Sequence, residues 1–166
     1  MIFNYPDLVP MKELLGHKGT ISNLQMVSHQ YLVSTGLDNT IICWDLNDYR
    51  GVLSMDIHRS PILSLCYDEE SECIFTGSLD STIIVSGLEF NDGELVDCKV
   101  LRKINVSGPV LNLSSVGAEK LISFENSKLR IYDSRGVLYR DVDTKCLPKT
   151  HQMINPDKGL IVDVSG

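Results

Sequence analysis

Short runs of β-branched and aromatic residues alternate with polar turn residues along most of the chain. The clearest pair occupies positions 31–34 and 40–44, and the segment 36–39 between them reads Gly-Leu-Asp-Asn. Runs of this composition predict strands, and glycine, aspartate and asparagine between them predict a tight turn. The pattern therefore predicts a β-hairpin at this place and an all-β fold for the chain.

Four side chains around this hairpin can form hydrogen bonds although their positions predict burial: His17, Ser34, Asp38 and Trp44. A buried polar group is costly unless it is paired. One arrangement satisfies all four, because the indole N–H can donate to the Ser34 hydroxyl, which donates to the imidazole. The other imidazole N–H then donates to the Asp38 carboxylate, so we expect a continuous chain of hydrogen bonds.

The same pattern returns further along the chain, 41 positions later for the histidine and 42 positions later for the strand and turn residues. His58, Thr76 and Asp80 stand where His17, Ser34 and Asp38 stand in the first copy. Self-similarity at such a period is typical of propellers and solenoids. In the second copy Ser86-Gly87 replaces the tryptophan and aspartate, so the indole is lost and we expect a weaker network.

A third copy is fainter, and a fourth is incomplete. The third copy has strand patterns at 107–113, 121–123 and 129–133, with Asn126 at the turn position. Because most of its network residues are missing, we expect this unit to rely on apolar packing. Further on, the segment 155–159 reads Asn-Pro-Asp-Lys-Gly and predicts a turn between two more strands.

The stretch that begins with Gly16-His17, carries Asp38 in its turn and closes on Trp44-Asp45 resembles a WD repeat. In that family the His, Ser/Thr, Asp and Trp side chains form such a network inside each blade of a β-propeller. The resemblance implies four-stranded antiparallel blades. It also implies that each sequence repeat begins with the outer strand of the preceding blade, which places an outer strand at 12–15.

The resemblance divides the single domain 1–166 into three repeats and a remainder. The expected bounds are about 12–54, about 55–103 and about 104–142, followed by a partial repeat at 143–166. The later outer strands are expected at 51–55, 95–101 and 137–142, with a hairpin turn at 89–94.

About three blades and half of a fourth are fewer than most closed propellers contain, since these have four to eight. Three explanations remain open. The chain is a fragment of a longer propeller protein, or it completes its propeller with a partner or a second copy of itself, or it folds as an open β structure. Unclosed blades would expose apolar surface and unpaired strand edges.

Composition narrows the classes of function that we expect for the chain. The chain has 166 residues, 43% of them hydrophobic, and a formal net charge of −7. With no run of Lys or Arg longer than two, nucleic-acid binding is not expected. The N-terminus lacks a signal-peptide pattern, and no apolar run reaches the length of a membrane span.

Cysteine and histidine usage points to a reducing compartment and no metal. The cysteines fall at 43, 66, 73, 98 and 146, and no pair has C-x-x-C spacing. We therefore expect reduced structural thiols in an intracellular protein. The histidines at 17, 29, 58 and 151 are too scattered for a zinc site, so no metal or other cofactor is expected.

His17, Ser34 and Asp38 also have the residue types of a catalytic triad. An active site has no reason to recur in each blade, and Trp44 would cap Ser34, so we interpret the set as structural and predict no catalytic residues. The run Asp68-Glu69-Glu70 is interpreted as a solvated face.

The resemblance implies a non-catalytic scaffold or adaptor that presents blade loops to a protein or peptide, within a larger assembly. The expected partner-binding residues lie in or near the loops that carry the two turn aspartates and the two histidines: Lys18, Leu37, Asn39, Arg59, Leu79 and Ser81. No membrane contact is expected, and the location is expected to be cytoplasmic or nuclear. The alternatives are the propeller portion of a longer multidomain enzyme or ubiquitin-ligase-type adaptor, and a truncated product without independent function.

Overall fold

The structure is a computed structural model that describes residues 1–4, 6–115, 120–125, 128–133, 135–143, 148–155 and 158–163. Sixteen β-strands run through these residues. In chain order they are β1 (Ile2–Asn4), β2 (Val9–Lys12), β3 (Ile21–Met26), β4 (Tyr31–Gly36), β5 (Ile41–Asp45), β6 (Arg50–Met55), β7 (Ile62–Asp68), β8 (Cys73–Ser78), β9 (Thr82–Asn91), β10 (Glu94–Asn105), β11 (Val110–Ser115), β12 (Lys120–Glu125), β13 (Lys128–Asp133), β14 (Leu138–Asp143), β15 (Pro148–Asn155) and β16 (Lys158–Asp163). The predicted all-β class is confirmed.

Twelve of these strands form three four-stranded antiparallel sheets, each joined by consecutive hairpins. The first sheet has the order β3-β4-β5-β6, the second β7-β8-β9-β10 and the third β11-β12-β13-β14. This is the up-and-down arrangement that the repeated pattern predicts, and it is the arrangement of propeller blades. The predicted inner and middle strands agree with the observed ones to within a few residues.

The N-terminal segment differs from the prediction. An outer strand was expected at 12–15, but the structure ends β2 at Lys12 and pairs it with β1 in a separate two-stranded hairpin. The turn closes through a hydrogen bond from the Leu8 amide to the Asn4 carbonyl, with Leu8 at a φ of 52°. This turn between two short runs is the physical reason why the segment folds on itself.

The hairpin of β9 and β10 is longer than the sequence suggests. The turn was expected at 89–94 and the outer strand at 95–101, but β9 continues to Asn91 and β10 to Asn105. Only Asp92 and Gly93 form the turn, with φ values of 51° and 84°. Two consecutive positive φ angles define a turn whose twist matches that of the flanking strands, so the ladder continues right up to it.

The hydrophobic cores lie between the sheets. One cluster joins Val33, Ile41 and Cys43 of the first sheet to Ile62 and Ile74 of the second. A second cluster joins β-strands of the second and third sheets, with Ile83, Val110 and Tyr132 among its members. Strand β7, at one edge of the second sheet, lies between β3 of the first sheet and β11 of the third.

Hydrogen bonds also cross the sheet interfaces. Asn23 Nδ2 of the first sheet donates to the Leu63 carbonyl of the second at 2.9 Å. Ser115 Oγ of the third sheet donates to Asp68 Oδ1 of the second at 2.8 Å. Each sheet is thus fixed to its neighbour by both apolar and polar contacts.

The last two strands, β15 and β16, pair antiparallel with each other. This agrees with the two strands predicted around positions 155–159, of which Pro156 and Asp157 lie outside the described residues. Asn126 and Cys146 also lie outside them. Within the part of the chain that the structure describes, no helix has the length and apolarity needed to span a membrane.

Candidate functional site

The structure brings together the four polar side chains of the first sheet. His17 Nε2 lies 2.7 Å from Ser34 Oγ, and Trp44 Nε1 donates to the same oxygen at 2.8 Å. On the other side of the ring, His17 Nδ1 lies 3.0 Å from Asp38 Oδ2. Because an ionised carboxylate only accepts, Nδ1 carries the proton and Nε2 accepts from Ser34. Trp44 therefore donates to Ser34, Ser34 donates to His17, and His17 donates to Asp38.

Two glycines make room for this network. A Cβ at Gly16 would lie 2.9 Å from the Trp44 ring, so the Gly-His segment crosses the indole closely. A Cβ at Gly36 would lie 2.9 Å from His17 Nδ1. The absence of a side chain at both positions lets the histidine enter from the loop and lie between strand and turn.

Asp38 gathers hydrogen bonds from both sides of the loop. It accepts from the amides of Lys18 and Gly19 at 2.7 and 3.2 Å, and from the hydroxyl and amide of Thr40 at 2.8 and 3.2 Å. Burial raises the pKa of the carboxyl, but the hydrogen bonds from Thr40, the Lys18 amide and His17 outweigh that effect. They hold the pKa of Asp38 well below its usual range, so the carboxylate stays charged.

The second sheet repeats this geometry without the indole. His58 Nε2 lies 2.9 Å from Thr76 Oγ1, and His58 Nδ1 lies 3.1 Å from Asp80 Oδ2. The Arg59 amide and the Thr82 hydroxyl donate to Asp80 at 2.9 and 2.5 Å. Desolvation lowers the pKa of His58 against the opposing effect of Asp80, so the buried ring favours its neutral form.

Thr40 and Thr82 belong to these networks, although the sequence analysis did not single them out. Each lies two positions after the turn aspartate and donates to it through both hydroxyl and amide. Their recurrence 42 positions apart was a usable signal. Threonine at the start of a strand is so common that composition alone gives it no special meaning.

The third sheet relies on apolar packing, as expected, but it also contains a buried polar cluster that the sequence analysis did not predict. Glu125 is completely buried. Its carboxylate accepts from Ser123 Oγ at 2.5 Å and Tyr132 Oη at 2.8 Å, and forms an ion pair with Arg130. Arg130 Nη1 also contacts Ser107 Oγ. A buried charge must be paired in this way, so an ionic cluster replaces the histidine network.

Strand register shows how this replacement works. Ser123 pairs with Arg130 in the third sheet as Ser34 pairs with Ile42 in the first. Glu125 therefore stands at the position of Gly36. The space that the glycine leaves for a histidine in the first sheet is filled by a glutamate side chain in the third.

The six expected partner-binding residues lie in the loops at one end of the first two sheets. Lys18 and Arg59 are exposed, Leu37 and Leu79 each expose 44% of their surface, and Asn39 and Ser81 are half-buried. The leucine backbones are fixed, because the Leu37 amide donates to the Thr20 carbonyl and the Leu79 amide to the Pro61 carbonyl. Asn39 and Ser81 adopt φ values of 68° and 61° and complete the two turns.

The network offers little to a substrate. Ser34 is 1% exposed and its oxygen is occupied by the indole N–H. In the described ranges, no three His, Cys, Asp or Glu side chains are grouped so that they could hold a metal ion. Cys43, Cys66 and Cys98 are free thiols, and burial raises the pKa of each to about 12. Such thiols are inert as nucleophiles.

Consecutive four-stranded meanders, cores between the sheets, and a recurring His–Ser/Thr–Asp network define this chain as a partial β-propeller. Comparison with known proteins agrees. The family described as "WD domain, G-beta repeat" matches residues 8–45 and 51–85. The two matched segments, residues 8–45 and 51–85, are therefore WD repeats.

Three curated relatives each match about half of this chain. Protein NEDD1 of Homo sapiens is 38% identical over 84 residues, which is 50% of this chain and 13% of that protein. Cell division control protein 4 of Saccharomyces cerevisiae is 30% identical over 99 residues, or 57% of this chain and 12% of its own length. The ribosome biogenesis protein WDR12 homolog of Culex quinquefasciatus is 31% identical over 87 residues, or 52% and 20%. The matches thus cover a fifth or less of each of these relatives.

Proposed function

We propose that this chain is a non-catalytic interaction platform that binds a protein or peptide through the loops at one end of its first two sheets. The observation that carries the proposal is the pair of exposed leucines, Leu37 and Leu79, each held on a rigid turn. A loop whose backbone is already fixed before binding loses less conformational entropy when a partner covers it. Proteins of the WD-repeat family typically act as protein-interaction scaffolds, which supports the proposal.

The charged neighbours of these leucines fit the same role. Lys18 and Arg59 are exposed, and their backbone amides, not their side chains, contact Asp38 and Asp80. The ammonium and guanidinium groups are therefore available to a partner at the same end of the sheets as the two leucines. This composition, with arginine among the exposed residues, is typical of protein interfaces.

Several finer statements belong to the same proposal. We propose the repeat bounds 12–54, 55–103 and 104–142, supported by one four-stranded sheet within or near each, and a partial repeat at 143–166. We propose a structural role for the seven network residues that the sequence predicts, which are His17, Ser34, Asp38, Trp44, His58, Thr76 and Asp80. An intracellular location is supported by relatives named for cell division and ribosome biogenesis.

The proposal is tested with Leu37→Asp/Leu79→Asp. In quantitative affinity purification, the double variant should recover at least about ten-fold less of the specific partners than the unchanged chain. The reason is that each new carboxylate would be buried in the interface without a partner. A matched control, Val100→Asp/Val137→Asp, changes two valines that are 49% and 59% exposed elsewhere. Equal recovery by the leucine variant and the unchanged chain, with both folded, would sink the proposal.

A further inference from the structure

A cleft of about 750 Å³ opens at the end of the strands opposite to the Asp38 and Asp80 turns. It lies between three loops of the first two sheets: the β3–β4 turn, the β7–β8 turn and the tip of the β9–β10 hairpin. The residues used below are Met26, Tyr67, Glu69, Glu72 and Phe90. Its volume falls in the range of sites that bind ligands or several side chains of a peptide.

One part of the cleft wall is apolar and fixed in place. Phe90 is half-buried and its ring lies 5.9 Å from that of Tyr31, at an interplanar angle of 56°. Tyr31 belongs to the core between the first and second sheets. Met26 is 44% exposed beside it. An aromatic ring anchored in the core and a flexible methionine form a surface on which a partner's apolar side chain can lie.

The other part is acidic, and the three segments that line the cleft carry no lysine or arginine. The segments 25–29, 67–72 and 90–94 contain no Lys or Arg, and their acidic residues are Asp68, Glu69, Glu70, Glu72, Asp92 and Glu94. Asp68 is buried and satisfied by Ser71 and Ser115. Glu69, Glu70 and Glu72 are exposed and form no ion pair with any residue that the structure describes.

The field of these carboxylates converges on the cleft. Burial raises the pKa of Tyr67, and the charges of Glu72 and Glu69 raise it further. A cation near the Tyr67 hydroxyl would be attracted by the same carboxylates. Nucleic acid and an acidic peptide would be repelled, because like charges brought together at an interface are unfavourable.

We propose that this cleft is a second docking site, which takes a basic segment of a protein partner. A lysine or arginine of the segment pairs with Glu69 and Glu72, and a neighbouring apolar side chain lies on Phe90 and Met26. The site is separate from the Leu37 and Leu79 loops, since it lies at the opposite end of the strands. A single chain would thereby hold two partners, or two segments of one partner, at opposite ends.

The test uses a fluorescein-labelled hexapeptide that alternates lysine with leucine, and fluorescence anisotropy with the full chain at low ionic strength. Glu69→Gln/Glu72→Gln should weaken binding about five-fold or more, because it removes both carboxylates that pair with the peptide's lysines and charge pairs are least screened at low ionic strength. Asp7→Asn/Glu13→Gln is the matched control, since it removes the same charge from exposed residues that do not line the cleft. This control should retain affinity within about two-fold.

Three results would overturn the proposal. They are equal weakening by both double variants, equal binding of a peptide that alternates glutamate with leucine, and no binding of the basic peptide up to about 1 mM. Backbone amide NMR adds an independent readout, in which the signals of residues 25–29 and 67–72 should shift on titration. Leu37→Asp/Leu79→Asp should leave the peptide affinity unchanged, so failure at one end is distinguishable from failure at the other.

Discussion

At the scale of single residues, Asp38 links the Gly-His segment of the first sheet to its turn. The carboxylate accepts from His17, from two amides of the segment and from Thr40. Its side chain is only 9% exposed. Most of the carboxylate is therefore shielded from water in the folded chain.

Asp38→Ala should lower the free energy of unfolding by about 1–3 kcal/mol, because it leaves His17 and two amides without their acceptor. Urea unfolding followed by circular dichroism measures the loss. Asp48→Ala provides the comparison, since Asp48 is exposed and pairs only with the exposed Arg50; it should cost less than about 1 kcal/mol. Unchanged stability of Asp38→Ala, with loss of partner binding, would identify Asp38 as a surface contact instead.

The sequence identified residues whose chemistry repeats and missed those whose meaning depends on register. His17, Ser34, Asp38 and Trp44 have unusual types for their positions and return in part after 41 or 42 residues. Glu125 and Arg130 occur once, and nothing in their spacing along two different strands indicates that they meet. Only the pairing of β12 with β13 brings them together, and such pairing is a tertiary property.

At the scale of elements, the close approach of β8 to β11 determines how tightly the second and third sheets pack. A Cβ added at Gly77 would collide with Ser64 Oγ and the Val110 side chain. Val110 is fully buried, so it has no free space into which to move. The glycine is required for the contact between the sheets.

Gly77→Ala should therefore destabilise the chain by about 1–3 kcal/mol through overpacking. Gly51→Ala is the matched control in strand β6, where the added carbon would lie 3.5 Å or more from its neighbours. Thermal unfolding should place the melting temperature of Gly77→Ala well below that of Gly51→Ala. Equal melting temperatures would show that the sheet interface adapts to the extra carbon.

Strand existence was predictable, while strand pairing at the ends of the pattern was not. Runs of β-branched and aromatic residues located the strands of the first two sheets, because strands such as β4, β5 and β8 are buried along most of their length. The β1–β2 hairpin is largely exposed, with Val9 and Met11 above 50% exposure, so no buried run marks its strands. The last four residues of β10 were missed for the same reason, since Arg102, Lys103 and Asn105 are polar and exposed.

At the scale of the whole molecule, the buried histidine and aspartates make stability depend on pH in one direction. The pKa of His58 is lowered, chiefly by desolvation, so the unfolded chain takes up a proton first as the pH falls through about 6.5. The pKa values of Asp38 and Asp80 are also lowered, because hydrogen bonds outweigh desolvation. The unfolded chain therefore binds protons below about pH 4 that the folded chain does not.

Acidification should thus reduce the free energy of unfolding in two windows, below about pH 6.5 and below about pH 4. Each group contributes a slope of at most about 1.4 kcal/mol per pH unit. Urea unfolding at a series of pH values measures both windows. His58→Gln should flatten the upper window and leave the lower one, and an unchanged slope between about pH 7 and 5 would contradict this origin.

The position of the cores between the sheets has a consequence for cooperativity. Among the described residues, both apolar clusters lie between neighbouring sheets and neither lies within one sheet, so the smallest unit that buries a core there is a neighbouring pair. The stability of such an array follows a one-dimensional, nearest-neighbour scheme, in which each interface couples the two sheets that form it. The second sheet takes part in both interfaces, so its unfolding would uncouple the first sheet from the third, whereas the loss of either outer sheet would leave one coupled pair.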